Sequence, residues 1–391
     1  MFMDLAAVSV VDNHCHALLR EPVRDRGRFR SLFAEANSPS FAPFVPAMAY
    51  YQATLIELSR ELGVPADEEA VLATRATKDH ETWIARLLRG AHFSALLVDD
   101  GIPPPADCYT REELARLAGC AVGHVWRLEV AAQDLIREHA HFDDLMTAWR
   151  AGLQDLRKRR IVSLKSIAAY RTGLNIEPPN ELGARAGFAA ARETVAREGR
   201  VRLADKPLLE YLLHEALAEA SRQEVPIQFH TGYGDPDTDL RYGNPLHLRL
   251  ILDDPRYQGA PLVLLHESYP FTREAAFLAS VYPHVFMDLS FAVPMIGWTE
   301  LLSCTRSALA VAPYTKLMHS SDGHSIPEHA WMGARRGREI VAMTVDEMVN
   351  NHELLPGTAE DAAAAILRDN AWRVYRLDNS VLVRPQSGPD M

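Results

Sequence analysis

The sequence predicts an α/β protein with the architecture of a (β/α)8 TIM barrel and a helical insertion after the first strand. Two observations lead to this prediction: eight short apolar runs follow one another along the 391 residues, and helical stretches separate most of them. This alternation is typical of parallel β/α construction, and runs that are apolar throughout indicate a sheet covered on both faces. A closed barrel meets both conditions, and a doubly wound open sheet is the alternative.

The predicted strands are aliphatic or β-branched runs bounded by polar or turn residues. They cover residues 8–11, 93–98, 121–128, 161–168, 225–229, 261–265, 285–289, and 316–318 continuing toward 321. Helical patterns cover residues 131–156, 206–222, 245–252, 272–281 and 298–310. The stretch from 17 to 90 is too long for a simple β/α connection, so we expect it to be a helical insertion over the barrel mouth.

A single barrel domain over residues 1–391 is expected, because no internal repeat or low-complexity linker divides the chain. Within the insertion, residues 50–62 and 69–88 have helical patterns, and residues 359–375 are expected to form an amphipathic closing helix. The last residues, 386–391, are expected to fray.

Composition and net charge limit the kinds of molecule that the protein is expected to bind. The formal net charge of -11, without a long basic run, argues against general nucleic-acid binding, so small molecules are the expected partners. No signal peptide and no run of roughly 20 apolar residues is visible, and a cytoplasmic protein is expected. A reducing compartment also fits the cysteines, which are few and far apart in sequence: Cys15, Cys108, Cys120 and Cys304. A homo-oligomer is compatible with the sequence.

Polar side chains follow several of the apolar runs. His14 and His16 come after the first run, and in an extended chain residues i and i+2 point to the same side. His230, His266 and Asp322 follow the fifth, sixth and eighth runs. The carboxyl ends of barrel strands meet around one mouth, so these side chains are expected to form a metal site. The His14/His16 pair alone could arise by chance, and His230 or His266 alone is as easily explained as a core residue bonded to a carbonyl, but such explanations are weak for all of them together.

Lys165 lies inside the apolar fourth run, where an unpaired ammonium group would be costly to bury. A structural ion pair with a nearby acid would compensate this charge. The alternative is reaction of the neutral amine with carbon dioxide, which gives a carbamate able to bridge two metal ions.

The order of these residues resembles the amidohydrolase superfamily. The strings Leu-Lys165-Ser-Ile-Ala-Ala-Tyr-Arg171, Gln-Phe-His230-Thr-Gly-Tyr-Gly-Asp235 and Leu-His266-Glu-Ser-Tyr-Pro-Phe-Thr-Arg273 look like the amidohydrolase-2 type domain that precedes a glutamine synthetase domain in FluG-like and nodulin-like fusion proteins. This chain is expected to be a stand-alone version. The resemblance implies six metal ligands: His14, His16, Lys165, His230, His266 and Asp322.

The implied activity is metal-dependent hydrolysis of an amide (C–N) bond. Zinc is the expected metal, as one ion or as a binuclear centre with a carboxylated lysine, and manganese or iron is the alternative. A bound divalent metal lowers the pKa of water toward about 7. Asp322 is expected to be the catalytic base, with Lys165 and His266 beside it. The expected substrate-binding residues, for a small carboxylate-bearing amide of γ-glutamyl type, are Arg171, Tyr170, Arg273 and His324.

Two other functions remain open at this stage. Non-oxidative decarboxylation of an aromatic or enoic acid would use the same barrel with a single metal ion. A catalytically inactive barrel that only binds a metal or a partner is the third hypothesis, although the presence of all six ligand types argues against it.

Overall fold

Eight parallel strands form a nearly closed barrel in the computed structural model, which describes residues 3–385 of the chain. The strands are β1 (Val10–His16), β2 (Phe93–Asp99), β3 (Ala121–Arg127), β4 (Ile161–Ser166), β5 (Ile227–Phe229), β6 (Leu262–Leu264), β7 (Val285–Ser290) and β8 (Leu317–Ser320). Each overlaps one of the predicted runs, which confirms the predicted TIM barrel. The first strand begins later than predicted and continues through His16, so both histidines lie on the strand itself.

The strands pair in chain order, each with the next, and β8 lies beside β1. At this last seam a side chain replaces part of the backbone ladder: the Asn13 amide donates a hydrogen bond to the His319 carbonyl at 2.7 Å. Beyond the strand end, the Asp322 N–H donates to the His14 carbonyl at 2.9 Å. The first and last strands are therefore joined at the rim that carries His14, His16 and Asp322.

The helices cover the outside of the barrel and form the insertion after β1. They are α1 (Arg26–Ser31), α2 (Ala49–Leu62), α3 (Glu68–Ala76), α4 (His80–Gly90), α5 (Arg111–Ala118), α6 (Leu128–Glu138), α7 (Phe142–Leu153), α8 (Glu181–Glu198), α9 (Lys206–Gln223), α10 (Arg249–Leu252), α11 (Thr272–Val281), α12 (Trp298–Leu309), α13 (Pro327–Asn350), α14 (Ala359–Ala364) and α15 (Asn370–Val374). A turn of π-helix, Ala365–Asp369, joins the last two.

Three predicted helices are interrupted. The pattern over 69–88 forms α3 and α4, because the Asp79 carboxylate accepts a hydrogen bond from the Thr82 N–H at 2.9 Å and starts a new helix. The pattern over 131–156 forms α6 and α7, and the closing pattern over 359–375 contains the π-helical turn. Helices α5, α8 and α13 were not predicted.

The C-terminal segment, defined here as residues 370–383, fills the end of the barrel where the strands begin. Val374, Tyr375 and Leu382 pack in one buried cluster with interior residues of the strands. A backbone hydrogen bond of 2.8 Å from the Val122 N–H to the Val383 carbonyl ties the segment to β3. The opposite end of the barrel is thus left for the site. The predicted fraying of 386–391 lies outside the described residues.

Two further expectations concern the state of the cysteines and membrane-spanning segments. All four cysteines are buried and have free thiols. Across residues 3–385, none of the helices is both long and apolar enough to cross a membrane.

Candidate metal centre

His14 and His16 are held on β1 with one nitrogen each committed to a hydrogen bond. The Nδ1 atom of His14 lies 2.9 Å from Oε1 of Gln228, and Nδ1 of His16 lies 3.0 Å from the Asp99 carbonyl oxygen. Both partners are acceptors, so each Nδ1 carries the proton. The Nε2 atoms are left with free lone pairs, which is the form of imidazole that binds metals.

Asp322 faces both lone pairs. Its Oδ1 atom lies 3.2 Å from Nε2 of His14 and 3.1 Å from Nε2 of His16. Lone pairs and a carboxylate oxygen at this distance repel one another unless a proton or a metal cation lies between them. Burial lowers the pKa of His14 to about 4, which disfavours its protonation at neutral pH. The ligand atoms of these three residues lie within 4.8 Å of one another, so a divalent cation fits them.

The other three predicted ligands surround this group. Lys165 is fully buried, and its Nζ atom lies 3.4 Å from Nε2 of His14 and 3.5 Å from Nε2 of His266. The His230 and His266 rings are 4.3 Å apart between centroids, and Nε2 of His230 is buried with no hydrogen-bond partner among the described residues. The structure therefore brings all six predicted ligands together.

The charge states at this site are set by burial and by neighbours. Burial lowers the pKa of Lys165 to about 8, and nothing within residues 3–385 forms an ion pair with its ammonium group. The structural ion pair considered for Lys165 is thus not observed. Burial opposes ionisation of Asp322 as well, but the neighbouring His266, His14 and His16 hold the pKa of this carboxyl well below its usual range.

The backbone after β6 and β8 takes a rare conformation at the site. His266, Glu267 and Ser268 have φ angles of 62°, 54° and 50°, and Asp322 has a φ angle of 50°. The left-handed region is unfavourable for residues other than glycine, and runs of such residues are enriched at functional sites. The Glu267 N–H donates to Oδ1 of Asp288 at 3.1 Å, which helps to hold this turn.

Gly232, two residues after His230, packs directly on that turn. Its φ angle is +70°, and a Cβ atom there would lie 2.3 Å from the Tyr269 carbonyl oxygen and 2.5 Å from that of Ser268. We expect Gly232→Ala to lower the free energy of unfolding by about 3 kcal/mol, from left-handed strain plus a backbone clash, and to weaken metal binding. Gly63→Ala is the matched control: Gly63 has the same φ but open space around it, so only about 1 kcal/mol should be lost. Equal losses in urea unfolding would contradict this prediction.

A cavity of about 800 Å³ opens above the six residues. Tyr170, Arg171 and His324 line it as predicted, but Arg273 does not: it is exposed on the first turn of α11. The Nε atom of Arg171 is buried without a hydrogen-bond partner in the described part of the chain. Residues 25–42 of the insertion form the facing wall, lining the cavity with Asp25, Gly27, Arg28, Ser31, Ala34, Glu35, Ala36, Asn37, Ser38, Pro39 and Ala42.

Sequence reasoning missed several charged residues of the cavity, among them Arg127 and Glu35. Arg127 ends β3 and forms a buried ion pair with Asp99 at 2.7 Å. A charged residue at the end of an apolar run is the signal that could have identified it. Glu35 comes from the insertion, where no periodic pattern marks it; burial, with Asp322 and Asp235 nearby, raises its pKa to about 8.

Comparisons with known proteins identify the family and the fold of the chain. A family model described as Amidohydrolase matches residues 138–377. Protein FluG of Emericella nidulans is 28% identical, over 94% of this chain and 46% of that protein, so the chain spans about half the length of this relative. A Lactobacillus casei structure described as a metal-dependent hydrolase is 31% identical, with a TM-score of 0.83 over 96% of this chain and 98% of that one.

A more distant structure shares the fold. Uronate isomerase of Thermotoga maritima is 14% identical, with a TM-score of 0.64 over 96% of this chain and 98% of that one. The family match covers more than half of the chain, and the Lactobacillus casei structure is described as a hydrolase that depends on a metal. The chain belongs to the amidohydrolase family and has the fold of a metal-dependent hydrolase.

Proposed function

We propose that this protein hydrolyses an amide (C–N) bond of a small carboxylate-bearing substrate, such as a γ-glutamyl-type amide. The observation that carries the proposal is the arrangement of Asp322, whose carboxylate faces Nε2 of both His14 and His16. Beside it lies a buried Lys165 that has no ion pair within residues 3–385. A carboxylate held next to a metal site is suited to accept and return a proton during hydrolysis.

Zinc is the metal we propose, because imidazole and carboxylate ligands suit it, although manganese and iron accept the same ligands. His14, His16 and Asp322 would hold one ion, and His230 and His266 would hold a second. When bound, the metal supplies an activated water and a positive charge that stabilises the oxyanion of the reaction. A carboxylated Lys165 would bridge the two ions, and the low pKa of Lys165 supports this, since only the neutral amine reacts with carbon dioxide.

Proton transfer and positioning are assigned to side chains of the protein. Asp322 stays ionised because of His14, His16 and His266, so it can accept a proton from the attacking water and deliver it to the departing nitrogen. Nδ1 of His266 lies 3.2 Å from Oδ2 of Asp322, so a third imidazole contacts the same carboxylate. The histidines and Lys165 around Asp322 are buried, which limits the access of bulk water to these charges.

Arg171 is the residue that we propose to bind the substrate carboxylate. Arg171 lines the cavity, and its buried Nε atom has no hydrogen-bond partner among the described residues. We expect Arg171→Ala to raise KM by about 10- to 100-fold, the loss of one charged hydrogen-bond pair, while the metal content stays unchanged. Arg273→Ala is the control, because Arg273 is exposed and lies outside the cavity lining. An unchanged KM in the Arg171 variant would show that the carboxylate binds elsewhere.

A single-metal decarboxylase is the second candidate. The observation in its favour is that the three closest ligand atoms, from His14, His16 and Asp322, form a set for one ion. Such an enzyme would release carbon dioxide from an aromatic or enoic acid, whereas the hydrolase would release an amine and an acid.

One experiment tests the proposal. Metal per chain is measured by elemental analysis, and the zinc-loaded protein is incubated with a panel of γ-glutamyl amides and of aromatic acids. We expect amine release from at least one amide, and none after chelation. Carbon dioxide release without amine release would favour the decarboxylase, and metal binding without either product would favour the inactive barrel.

The buried free thiols support a reducing compartment, so we further propose a cytoplasmic location.

A further inference from the structure

Tyr375, in the C-terminal segment, reaches the interior of the barrel beneath the metal centre. Its hydroxyl group donates a hydrogen bond to Oδ1 of Asn13 at 2.9 Å and accepts one from Nε2 of Gln228 at 2.8 Å. The three side chains are fully buried. Gln228 in turn accepts the Nδ1–H of His14 through its Oε1 atom at 2.9 Å. A chain of hydrogen bonds therefore connects the last helix to a predicted metal ligand.

Each group in this network has a fixed role. Nε2 of Gln228 donates both of its protons, one to the Asn13 carbonyl at 2.8 Å and one to the Tyr375 hydroxyl. Nδ2 of Asn13 donates to the His319 carbonyl, which leaves Oδ1 of Asn13 to accept from Tyr375. These bonds orient the Gln228 amide with Oε1 toward His14. The orientation matters because the two ends of an amide have nearly the same shape but opposite hydrogen-bonding character.

A reversed Gln228 amide would disturb the metal ligand itself. Its NH₂ group would then point at Nδ1 of His14, which could only accept if the imidazole proton moved to Nε2. Nε2 is the atom 3.2 Å from Oδ1 of Asp322, and once protonated it has no lone pair for a metal. The tautomer of His14 thus depends on the direction of one amide, and Tyr375 is one of the two groups that hold this direction.

The C-terminal segment is anchored independently of the metal centre. Nδ2 of Asn370 donates to the carbonyls of Tyr314 and Leu317, both at 2.8 Å, at the start of β8. The backbone bond between Val383 and Val122 fixes the other end of the segment. The position of the Tyr375 hydroxyl is therefore set by the fold, and it can act as a rigid reference for Gln228.

We infer that Tyr375 is a positioning residue for metal binding: through Gln228 it keeps His14 in the tautomer whose Nε2 atom can bind the ion. The inference rests on the metal centre of the proposed function and is independent of which bond is cleaved. It makes the C-terminal segment, distant in sequence from every ligand except Asp322, part of the metal site.

The test is Tyr375→Phe, which keeps the ring and removes only the hydroxyl group. The matched control is Tyr257→Phe, because the Tyr257 hydroxyl also bonds to a buried histidine, Nδ1 of His214 at 2.7 Å, away from the cavity. Metal-free proteins are titrated with Zn²⁺ against a chromophoric chelator, and with Co²⁺ while the visible absorption of the ion is recorded. We expect Tyr375→Phe to weaken Zn²⁺ binding about 10- to 100-fold and to alter the Co²⁺ spectrum. The control should change affinity less than about twofold.

The outcomes separate the inference from the proposed function. Wild-type affinity and a wild-type Co²⁺ spectrum in Tyr375→Phe would overturn the inference and leave the metal centre intact. Equal losses in both variants would also overturn it, since they would reflect general loosening of the fold. If the wild-type protein bound neither ion, the metal centre and the inference would fail together.

Discussion

Asp322→Asn is expected to reduce kcat/KM of the zinc-loaded protein by about 10³-fold or more, equivalent to about 4 kcal/mol. The amide has the same shape as the carboxylate but cannot accept and return the proton, and as a neutral ligand it balances less of the metal charge. The two imidazoles that face Oδ1 of Asp322 would also lose their anionic neighbour. Kinetics are measured on the amide identified by the substrate panel, together with metal per chain.

Glu328→Gln provides the matched control for Asp322. Glu328 is another buried carboxylate, but it accepts hydrogen bonds from Arg75 and from Trp83, outside the cavity. Breaking this buried pair should lower the melting temperature while kcat/KM and metal per chain remain close to wild type. If Asp322→Asn retained more than about a tenth of the wild-type kcat/KM, another group must take the proton, and the role given to Asp322 would be wrong.

Lys165→Met is expected to change stability and function in opposite directions. The metal-free variant should be more stable than wild type by about 2 kcal/mol, because an unpaired buried ammonium group is replaced by an apolar side chain of similar length. Zinc per chain should fall from two to one and amide hydrolysis should be lost, because no carbamate can form. Urea unfolding of the metal-free proteins and elemental analysis of the loaded ones measure the two effects.

The stability difference should depend on pH in a defined direction. Burial lowers the pKa of Lys165 from its usual 10.5 to about 8 in the folded protein, so between these values the unfolded chain binds more protons. Wild-type stability should therefore rise with pH over this range, and the advantage of Lys165→Met, complete below about pH 8, should fade toward pH 10.5. A constant advantage would show that the lysine charge is not its cause. An active Lys165→Met protein with one metal would support the decarboxylase instead.

The clustering of the six proposed ligands could be predicted from the sequence because each lies on or directly after an apolar run. Local sequence marks the strand, and the barrel topology then brings the strand ends together without further information. His14 and Asp322 are more than 300 positions apart in sequence, yet they are neighbours for this reason. Lys165 could be recognised because burying a charged side chain inside an apolar strand is energetically unfavourable.

The substrate cavity was less predictable, because no comparable sequence pattern marks the residues of its second wall. Residues 25–42 follow no strand or long helix, so the position of Glu35 over the site depends on tertiary packing. Arg273 was assigned wrongly to the cavity because a residue just inside a helix can point to either side. The network of Tyr375 was also invisible, since a tyrosine at the end of an amphipathic helix reads as ordinary packing.

Because β1 lies beside β8, the proposed ligands at this seam are synthesised at very different times. The ligands His14 and His16 leave the ribosome early, but Asp322 follows the last strand and Tyr375 follows later still. A growing chain therefore carries five of the six proposed ligands before Asp322, which completes the site, and Tyr375, which helps to orient it, are made. The complete set of proposed ligands comes together only when the ring of strands has closed, so we expect the metal to stabilise a finished barrel and not to guide its assembly.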